Sequence, residues 1–214
     1  MREGFHDDLG RLDGRLADMC GAAAGAMRDA TQALLTADLS LAEQVLAADA
    51  DLDAQRAGCE EDAYALLALQ APVAGDLRSV LAAVYCAEKI ERMGDLAAHI
   101  ADTARYAHPA HAVPTELEPV FAELGEVASR MADRVADLIR STAEGGFTEL
   151  SETDETVDTL HAQVLEAITG ERWAHGQRPA VTLALATRFY ERFADQAVSV
   201  AKRLEFATTG TMPD

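Results

Sequence analysis

The sequence predicts an all-α protein made of two tandem, similar three-helix bundles, with six long helices in total. Apolar residues recur at intervals of three and four along the chain, and no segment alternates with the period of a strand. Aromatic residues make up only 5% of the chain, which suits a helical protein better than a β-sandwich. A short motif also occurs twice, which indicates that one half duplicates the other.

The first two predicted helices are separated by a break at residues 36–39. The first helix carries one apolar stripe over about seven turns, made of Leu9, Leu12, Leu16, Met19, Ala23, Met27, Thr31 and Leu34. Ser40 and Glu43 then have the spacing of a capping box, which predicts that the second helix starts there and runs to about Gln70.

Pro72 and Gly75 predict a tight turn before a third helix that runs from about Asp76 to Ala107. Residues 108–114 contain two prolines and no apolar periodicity, so this segment is the strongest candidate for a linker. We therefore expect one bundle over residues 1–109 and a second over residues 113–214.

The second half repeats this organisation. Thr115 and Glu118 have capping-box spacing before a fourth helix with an apolar stripe, and the glycine pair 145–146 is expected to end that helix. A fifth helix is predicted from about Ser151 to a break at 175–179, and a sixth from there to about Ala207.

Two pairs of acidic segments carry the internal repeat. The segment 91–95 (ERMGD) in the third helix matches 191–195 (ERFAD) in the sixth, and 49–53 (DADLD) in the second helix corresponds to 154–158 (DETVD) in the fifth. Each segment places two carboxylates four residues apart, on one helix face, where like charges cost about 0.2–0.5 kcal/mol per pair.

A bound cation would offset this repulsion. Adjacent helices can present two pairs to one site, which gives two candidate metal sites: Asp49, Asp53, Glu91 and Asp95 in the first half, and Asp154, Asp158, Glu191 and Asp195 in the second. Carboxylate ligands favour hard ions such as magnesium, calcium, manganese or iron. Alternatively, these residues form solvated acidic faces, and Arg92 and Arg192 pair with carboxylates locally.

The charge balance excludes several classes of partner. The chain has 37 acidic and 18 basic residues, and its net charge is −19. Binding to nucleic acid or directly to anionic lipid depends on Lys and Arg, so we expect neither. No apolar run is long enough to cross a membrane, and the start of the chain lacks the apolar segment of a signal peptide, so we expect a cytoplasmic protein.

No motif for an enzyme active site is present. The sequence contains no GxSxG, Walker or GxGxxG motif, and nothing pairs a nucleophile with a base, so we expect a protein that is not an enzyme. The three cysteines, Cys20, Cys59 and Cys86, are expected to be small core residues in a reducing compartment.

Several segments resemble the PhoU family of phosphate-transport regulatory proteins. Met1–Phe5 with Leu9 is similar to the family's opening pattern, and residues 68–78 (ALQAPVAGDLR) are similar to its turn before the third helix. The family's Leu-Glu-Arg-Ile-Gly-Asp-His signature occurs once in each half, here as IERMGDL at 90–96 and YERFADQ at 190–196.

This resemblance implies a pair of three-helix bundles and a role in negative regulation of phosphate uptake and phosphate-starvation signalling. It implies partners, namely a phosphate transporter's ATPase subunit and a sensor histidine kinase, and we expect a homodimer. Some family members bind iron or zinc clusters at the ExxxD and DxxxD positions, so iron, zinc, manganese or magnesium is the expected cofactor where a metal binds. The family's histidine after the motif aspartate is replaced by Leu96 and Gln196 here.

Two other classes stay open on the sequence alone. One is a carboxylate-rich helical enzyme or metal store that depends on a metal, and the other is a helical dimeric adaptor without metal. A ferritin-like di-iron site needs two Glu-x-x-His motifs on facing helices, which the helix interiors do not supply. His99 and His161 are interpreted as surface or helix-packing residues rather than phosphoacceptors.

Overall fold

A computed structural model describes residues 2–141 and 145–213, and within these ranges the chain forms six helices and no strand. The helices are α1 (Arg2–Thr36), α2 (Leu39–Gln70), α3 (Ala74–Ala107), α4 (Glu118–Ser141), α5 (Gly146–Thr169) and α6 (Gln177–Thr209). The predicted all-α class is confirmed. Met1, which opens the family-like pattern, and Asp214, which ends the second predicted bundle, lie outside the described residues.

The start of α2 differs from the prediction. Asp38, rather than Ser40, caps this helix, because the Asp38 carboxylate accepts a hydrogen bond of 3.0 Å from the backbone N–H of Leu41. The predicted capping box was therefore placed two residues too late. Asp38 has the extended backbone that a capping residue requires, with φ of −82° and ψ of 97°.

The connection between α4 and α5 also differs from the prediction. Helix α5 begins at Gly146 rather than near Ser151, so the glycine pair 145–146 opens this helix. The predicted end of α4 at this pair adjoins residues 142–144, which lie outside the described residues. Gly145 precedes the helix with a φ of 82°, a value that glycine adopts without steric cost. At Gly146, a Cβ would lie 2.4 Å from Leu138 Cδ1, so the absence of a side chain lets the two helices meet.

Each half of the chain is a bundle of three helices, and two helix pairs join the halves. Helix α1 packs against both α2 and α3, and α4 packs against both α5 and α6. Between the halves, α1 packs on α4 and α3 packs on α6. The molecule thus has two layers, with α1 and α4 in one and α2, α3, α6 and α5 in the other.

One continuous apolar core runs through both halves. At its centre the Tyr190 hydroxyl on α6 lies 2.9 Å from Thr31 Oγ1 on α1, and the Tyr190 ring packs edge-on against Phe121 on α4. The buried Thr31 also donates to the Met27 carbonyl oxygen over 2.8 Å. Residues of both halves contribute to this core. The assignment of residues 1–109 and 113–214 to separate domains stays a prediction.

The segment between the halves is held against α1. His108 Nδ1 lies 3.1 Å from the Ala37 carbonyl oxygen, and His111 Nδ1 lies 3.0 Å from the Leu35 carbonyl oxygen. Val113 and Leu117 are buried in the common core. The predicted linker is therefore a packed connection rather than an extended spacer.

All three cysteines are buried free thiols, which confirms the expectation that they are core residues. Burial raises the pKa of the Cys86 thiol to about 12, so this group stays protonated at neutral pH. None of the helices within residues 2–141 and 145–213 combines the length and the apolarity that crossing a membrane needs.

Candidate functional site

The first carboxylate cluster consists of Asp49 and Asp53 on α2 and Glu91 and Asp95 on α3. Gly94 is the reason that the two helices come close here. A Cβ at Gly94 would lie 2.3 Å from Leu52 Cδ2 and 3.6 Å from Asp49 Oδ1. The glycine of the ERMGD segment therefore lets α2 approach α3 at the level of the carboxylates.

The carboxylates of this first cluster repel one another. Partial burial raises the pKa of Glu91 to about 7, and the negative charge of Asp95 and a hydrogen bond with Asp53 add to the increase. Burial also raises the pKa of Asp49, with further contributions from the charges of Asp95 and Asp53. The prediction that α2 and α3 would bring their carboxylates together agrees with these mutual interactions.

Nearby cations offset part of this repulsion. Arg92 Nη1 lies 2.5 Å from Asp95 Oδ2, which matches the local pairing considered from the sequence. The charge of Arg56 lowers the pKa of Glu91 in opposition to the other contributions. His99 Nδ1 lies 2.5 Å from the Asp95 backbone oxygen, and the His99 ring packs on Phe189 at a centroid distance of 5.0 Å.

The second carboxylate cluster consists of Asp154 and Asp158 on α5 and Glu191 and Asp195 on α6. Burial and the charges of Asp158, Asp195 and Glu191 raise the pKa of Asp154 to about 6. Burial is also the largest cause of the raised pKa values of Glu191 and Asp195. The equivalent position in each half therefore gathers four carboxylates at the contact of two helices.

Two carboxylate oxygens in the second cluster have no hydrogen-bond partner. Asp154 Oδ1 and Glu191 Oε2 are both buried and unpaired within the part of the chain that the structure describes. The other Glu191 oxygen forms an ion pair with Arg188. A buried, unpartnered carboxylate oxygen is costly, and either a proton or a cation would satisfy it.

The described side chains of the two clusters are not arranged in the geometry of a metal-binding site. Among the described residues, no group of three or more His, Cys, Asp or Glu side chains is arranged to hold a metal ion. The donor set consists of oxygens alone, the kind of ligand that hard cations prefer, and it includes the two unpaired oxygens of the second cluster. The metal assignment of these eight residues stays a prediction.

The two positions at which the family has histidine differ from each other. Leu96 is buried in the core of the first half. Gln196 is half-buried and donates to the Arg192 carbonyl oxygen over 3.4 Å. Neither side chain extends the set of carboxylate ligands.

Sequence reasoning did not single out a third acidic position. Asp13 on α1 lines a cavity with Glu205 on α6, and burial raises the pKa of Asp13 to about 6. Glu205 Oε2 is buried and has no partner among the described residues. The sequence offered one weak indication of this position. Asp13 directly follows Leu12 of the apolar stripe, so its carboxylate lies close to the core.

Comparison with known proteins agrees with this architecture. The family model for the PhoU domain matches the chain twice, at residues 16–104 and 121–204. The chain is 45% identical to the phosphate-specific transport system accessory protein PhoU homolog 1 of Mycobacterium leprae, over all of this chain and 96% of that protein. It is also 45% identical to PhoU homolog 2 of Mycobacterium tuberculosis, over the full length of both.

Two solved structures share the fold. The phosphate transport system regulatory protein PhoU from Streptococcus pneumoniae superposes with a TM-score of 0.87 at 22% identity, covering 98% of this chain and 99% of that one. PhoU from Pseudomonas aeruginosa superposes with a TM-score of 0.84 at 23% identity, covering 97% and 100%. At these identities, the similarity concerns the fold.

Proposed function

Because the chain belongs to the PhoU family, we propose that it is a negative regulator of phosphate uptake and of phosphate-starvation signalling. The full-length similarity to accessory proteins of the phosphate-specific transport system is the observation that supports this role most strongly. Both family-model matches include one ERxxD segment, so the similarity covers both carboxylate clusters.

We further propose that the protein acts through contacts with other proteins and catalyses no reaction. Its partners in this proposal are the ATPase subunit of the phosphate transporter and a sensor histidine kinase, which it meets in the cytoplasm as a homodimer. Helices of 32 to 35 residues in the first half extend about 50 Å and offer long faces for such contacts.

The two carboxylate clusters are proposed as metal sites. Asp49, Asp53, Glu91 and Asp95 would hold one cation, and Asp154, Asp158, Glu191 and Asp195 would hold the second. A bound iron, zinc, manganese or magnesium ion would supply positive charge between two helices whose carboxylates otherwise repel each other. In the absence of a metal, the raised pKa values of Glu91 and Asp154 indicate that protons neutralise part of this negative charge.

The regulatory role is tested by binding and by gene expression together. The purified protein is immobilised and incubated with the transporter's ATPase subunit and, separately, with the cytoplasmic sensor region of the kinase. In parallel, deletion of the gene is expected to derepress phosphate-starvation genes in phosphate-rich medium. Absence of binding to both partners, with unchanged reporter output, would rule out the regulatory role.

Metal content and assembly are tested on the same preparation. Elemental analysis of the purified protein is expected to find metal, and the share bound at the second cluster is expected to be lost from a variant with Asp154→Asn and Glu191→Gln. Native mass is expected to show a dimer. The exposed Glu155→Gln on α5 serves as the matched control and should keep the metal.

A metal-dependent enzyme or a metal store is the second candidate. The unpaired Asp154 Oδ1 and Glu191 Oε2 favour it, since they are unsatisfied oxygens among four carboxylates. Turnover that depends on added iron, together with no binding to either protein partner, would support this candidate over the regulator.

A further inference from the structure

The pair of helices α3 and α6 differs in charge from the rest of the molecule. These two helices carry nine of the 18 basic residues but only eight of the 37 acidic ones. The remainder of the chain is therefore strongly acidic, whereas the α3–α6 pair is close to neutral. A surface of this kind lacks the repulsion that the rest of the protein exerts on an acidic partner.

Five of the nine basic side chains on this pair of helices form no ion pair with a carboxylate. Among the side chains that the structure describes, six Arg and Lys residues form no ion pair with a carboxylate. One of them, Arg172, lies between α5 and α6, and the other five lie on α3 or α6: Arg78, Arg178, Arg192, Lys202 and Arg203. Arg78 donates to the Ala207 carbonyl oxygen, and Lys202 and Arg203 lie over aromatic rings. Arg178 and Arg192 are exposed, so their charge is available to a ligand from outside the chain.

The α3–α6 groove lies between the C-terminal half of α3 and the N-terminal half of α6. It has a volume of about 530 Å³, and its walls include Tyr106 and Ala107 from α3 and Pro179, Leu185 and Phe189 from α6. Tyr106 is 76% exposed and Leu185 is 56% exposed. Val181, also on α6, is 60% exposed.

The apolar and basic groups lie in register along α6. Arg178, Leu185 and Arg192 are seven residues apart, so they follow one face of the helix over about 21 Å. Asp102, the acidic residue that lines the groove, is paired with Arg105. Arg178 lines the groove itself, and Arg192 lies on the same face of α6 beyond the end that Phe189 lines.

We propose that the α3–α6 groove binds an amphipathic helix of a partner protein, one that presents apolar side chains flanked by carboxylates. The apolar side chains of the partner fill the space between Tyr106, Leu185 and Phe189, and its carboxylates pair with Arg178 and Arg192. A partner helix of about four turns spans the distance between the two arginines.

Charge complementarity selects this occupant over the alternatives. A second copy docked through the same groove would place its own Arg178 and Arg192 against those of the first. A basic helix would meet these arginines with like charge. An acidic amphipathic helix satisfies both the apolar walls and the unpaired guanidinium groups.

The test uses two labelled synthetic helices of about 18 residues, with leucines at the same positions. One helix has Glu at its polar positions and the other has Lys. Binding to the full-length protein is measured by fluorescence anisotropy at near-physiological salt. We expect the Glu helix to bind the native protein, and Arg178→Glu and Leu185→Asp each to weaken it by roughly tenfold or more.

Two control variants lie outside the groove. Leu69→Asp changes an apolar residue that is 80% exposed on α2, and Arg172→Glu changes the unpaired arginine between α5 and α6. Both are expected to leave the affinity for the Glu helix unchanged. Arg178 lies in the first turn of α6, where an acidic residue is compatible with the helix dipole, so Arg178→Glu is expected to fold even where Leu185→Asp does not.

The proposal is overturned if the Glu helix does not bind the native protein, or if Arg178→Glu and Leu185→Asp both keep the native affinity for it. It is also overturned if the Lys helix binds the native protein and these two variants weaken that binding too. The peptides contain no part of the phosphate transporter or the kinase. Failure of this experiment therefore leaves the proposed regulatory function standing, and failure of the pull-down leaves the groove proposal standing.

Discussion

At the scale of single residues, Glu91 links the carboxylate cluster to stability. Its pKa is raised to about 7 in the folded protein, whereas an unperturbed glutamate has a pKa of 4.5. The folded state therefore binds the proton more tightly than the unfolded state. The stability that this group contributes is fully present below pH 4.5 and is lost as the pH rises through about 7.

Replacing Glu91 with Gln is expected to increase the free energy of unfolding of the metal-free protein at pH 8 and to have little effect on it at pH 5. The gain at pH 8 should be below about 1 kcal/mol, because the group is partly exposed and solvent screens its interactions. Chemical denaturation with a chelator present, at both pH values, measures the difference. The exposed Glu155→Gln is the control, and an equal effect of Glu91→Gln at the two pH values would contradict the prediction.

The buried hydroxyl pair of Thr31 and Tyr190 leads to a second prediction. Thr31 donates to the Met27 carbonyl oxygen, so Tyr190 is the donor in the 2.9 Å bond with Thr31. Tyr190→Phe removes one hydrogen bond and should cost about 0.5–1.5 kcal/mol. Thr31→Val leaves the fully buried Tyr190 hydroxyl without a partner and should cost about 1–3 kcal/mol.

A double-mutant cycle measures this pair. In the double variant neither hydroxyl remains, so its loss in the free energy of unfolding should be smaller than the sum of the two single losses. Strict additivity, or a larger cost for Tyr190→Phe than for Thr31→Val, would show that the bond does not have this donor and acceptor.

At the scale of helices, the contact of α1 with α4 depends on Gly125. A Cβ at Gly125 would lie 2.4 Å from Thr31 Oγ1 and 2.8 Å from Thr31 Cβ, so the two helices must separate to make room. Gly125→Ala is expected to destabilise the protein by about 1–3 kcal/mol, in spite of the higher helix propensity of alanine.

Gly21→Ala on α1 provides the matched control. No atom lies within 4 Å of a Cβ at this position, so the higher helix propensity of alanine acts alone. This variant should gain about 0.5–1 kcal/mol. The two Gly→Ala changes should therefore shift the thermal midpoint in opposite directions, and a shift in the same direction would refute the close-approach argument.

At the scale of the whole molecule, the shared core predicts cooperative unfolding. Because α1 packs on α4 and α3 packs on α6, neither half can open without exposing apolar surface of the other. We expect one thermal transition. Circular dichroism reports both halves, whereas the single Trp173 reports the second half alone, so the two signals should give the same midpoint.

Fragments of residues 1–109 and 113–214 extend this test. Each is expected to lose its well-ordered core when expressed alone, because the faces of α1, α3, α4 and α6 that meet across the halves become exposed. Fragments that fold as stable monomers, or two separate thermal transitions in the full chain, would instead support two independent domains.

The sequence was sufficient for the features that depend on local pattern. Apolar spacing of three and four residues predicted all six helices, since that period is a property of the helix itself. Spacing of four residues and the internal repeat identified the paired carboxylates, because residues i and i+4 share a helix face wherever the helix lies. Helix ends were less well predicted, because several residues near each end, such as Asp38 and Ser40, are able to cap.

Tertiary structure alone decided which faces meet. The apolar stripe of α1 included Thr31, but only the packing of both α1 and α6 against α4 places the Tyr190 hydroxyl beside it. The close approaches at Gly94 and Gly125, the unpaired oxygens of Asp154 and Glu191, and the groove between α3 and α6 likewise depend on residues far apart in the chain. A periodic pattern specifies which side of a helix is apolar but not its neighbour, and these contacts arise only when the neighbours are in place.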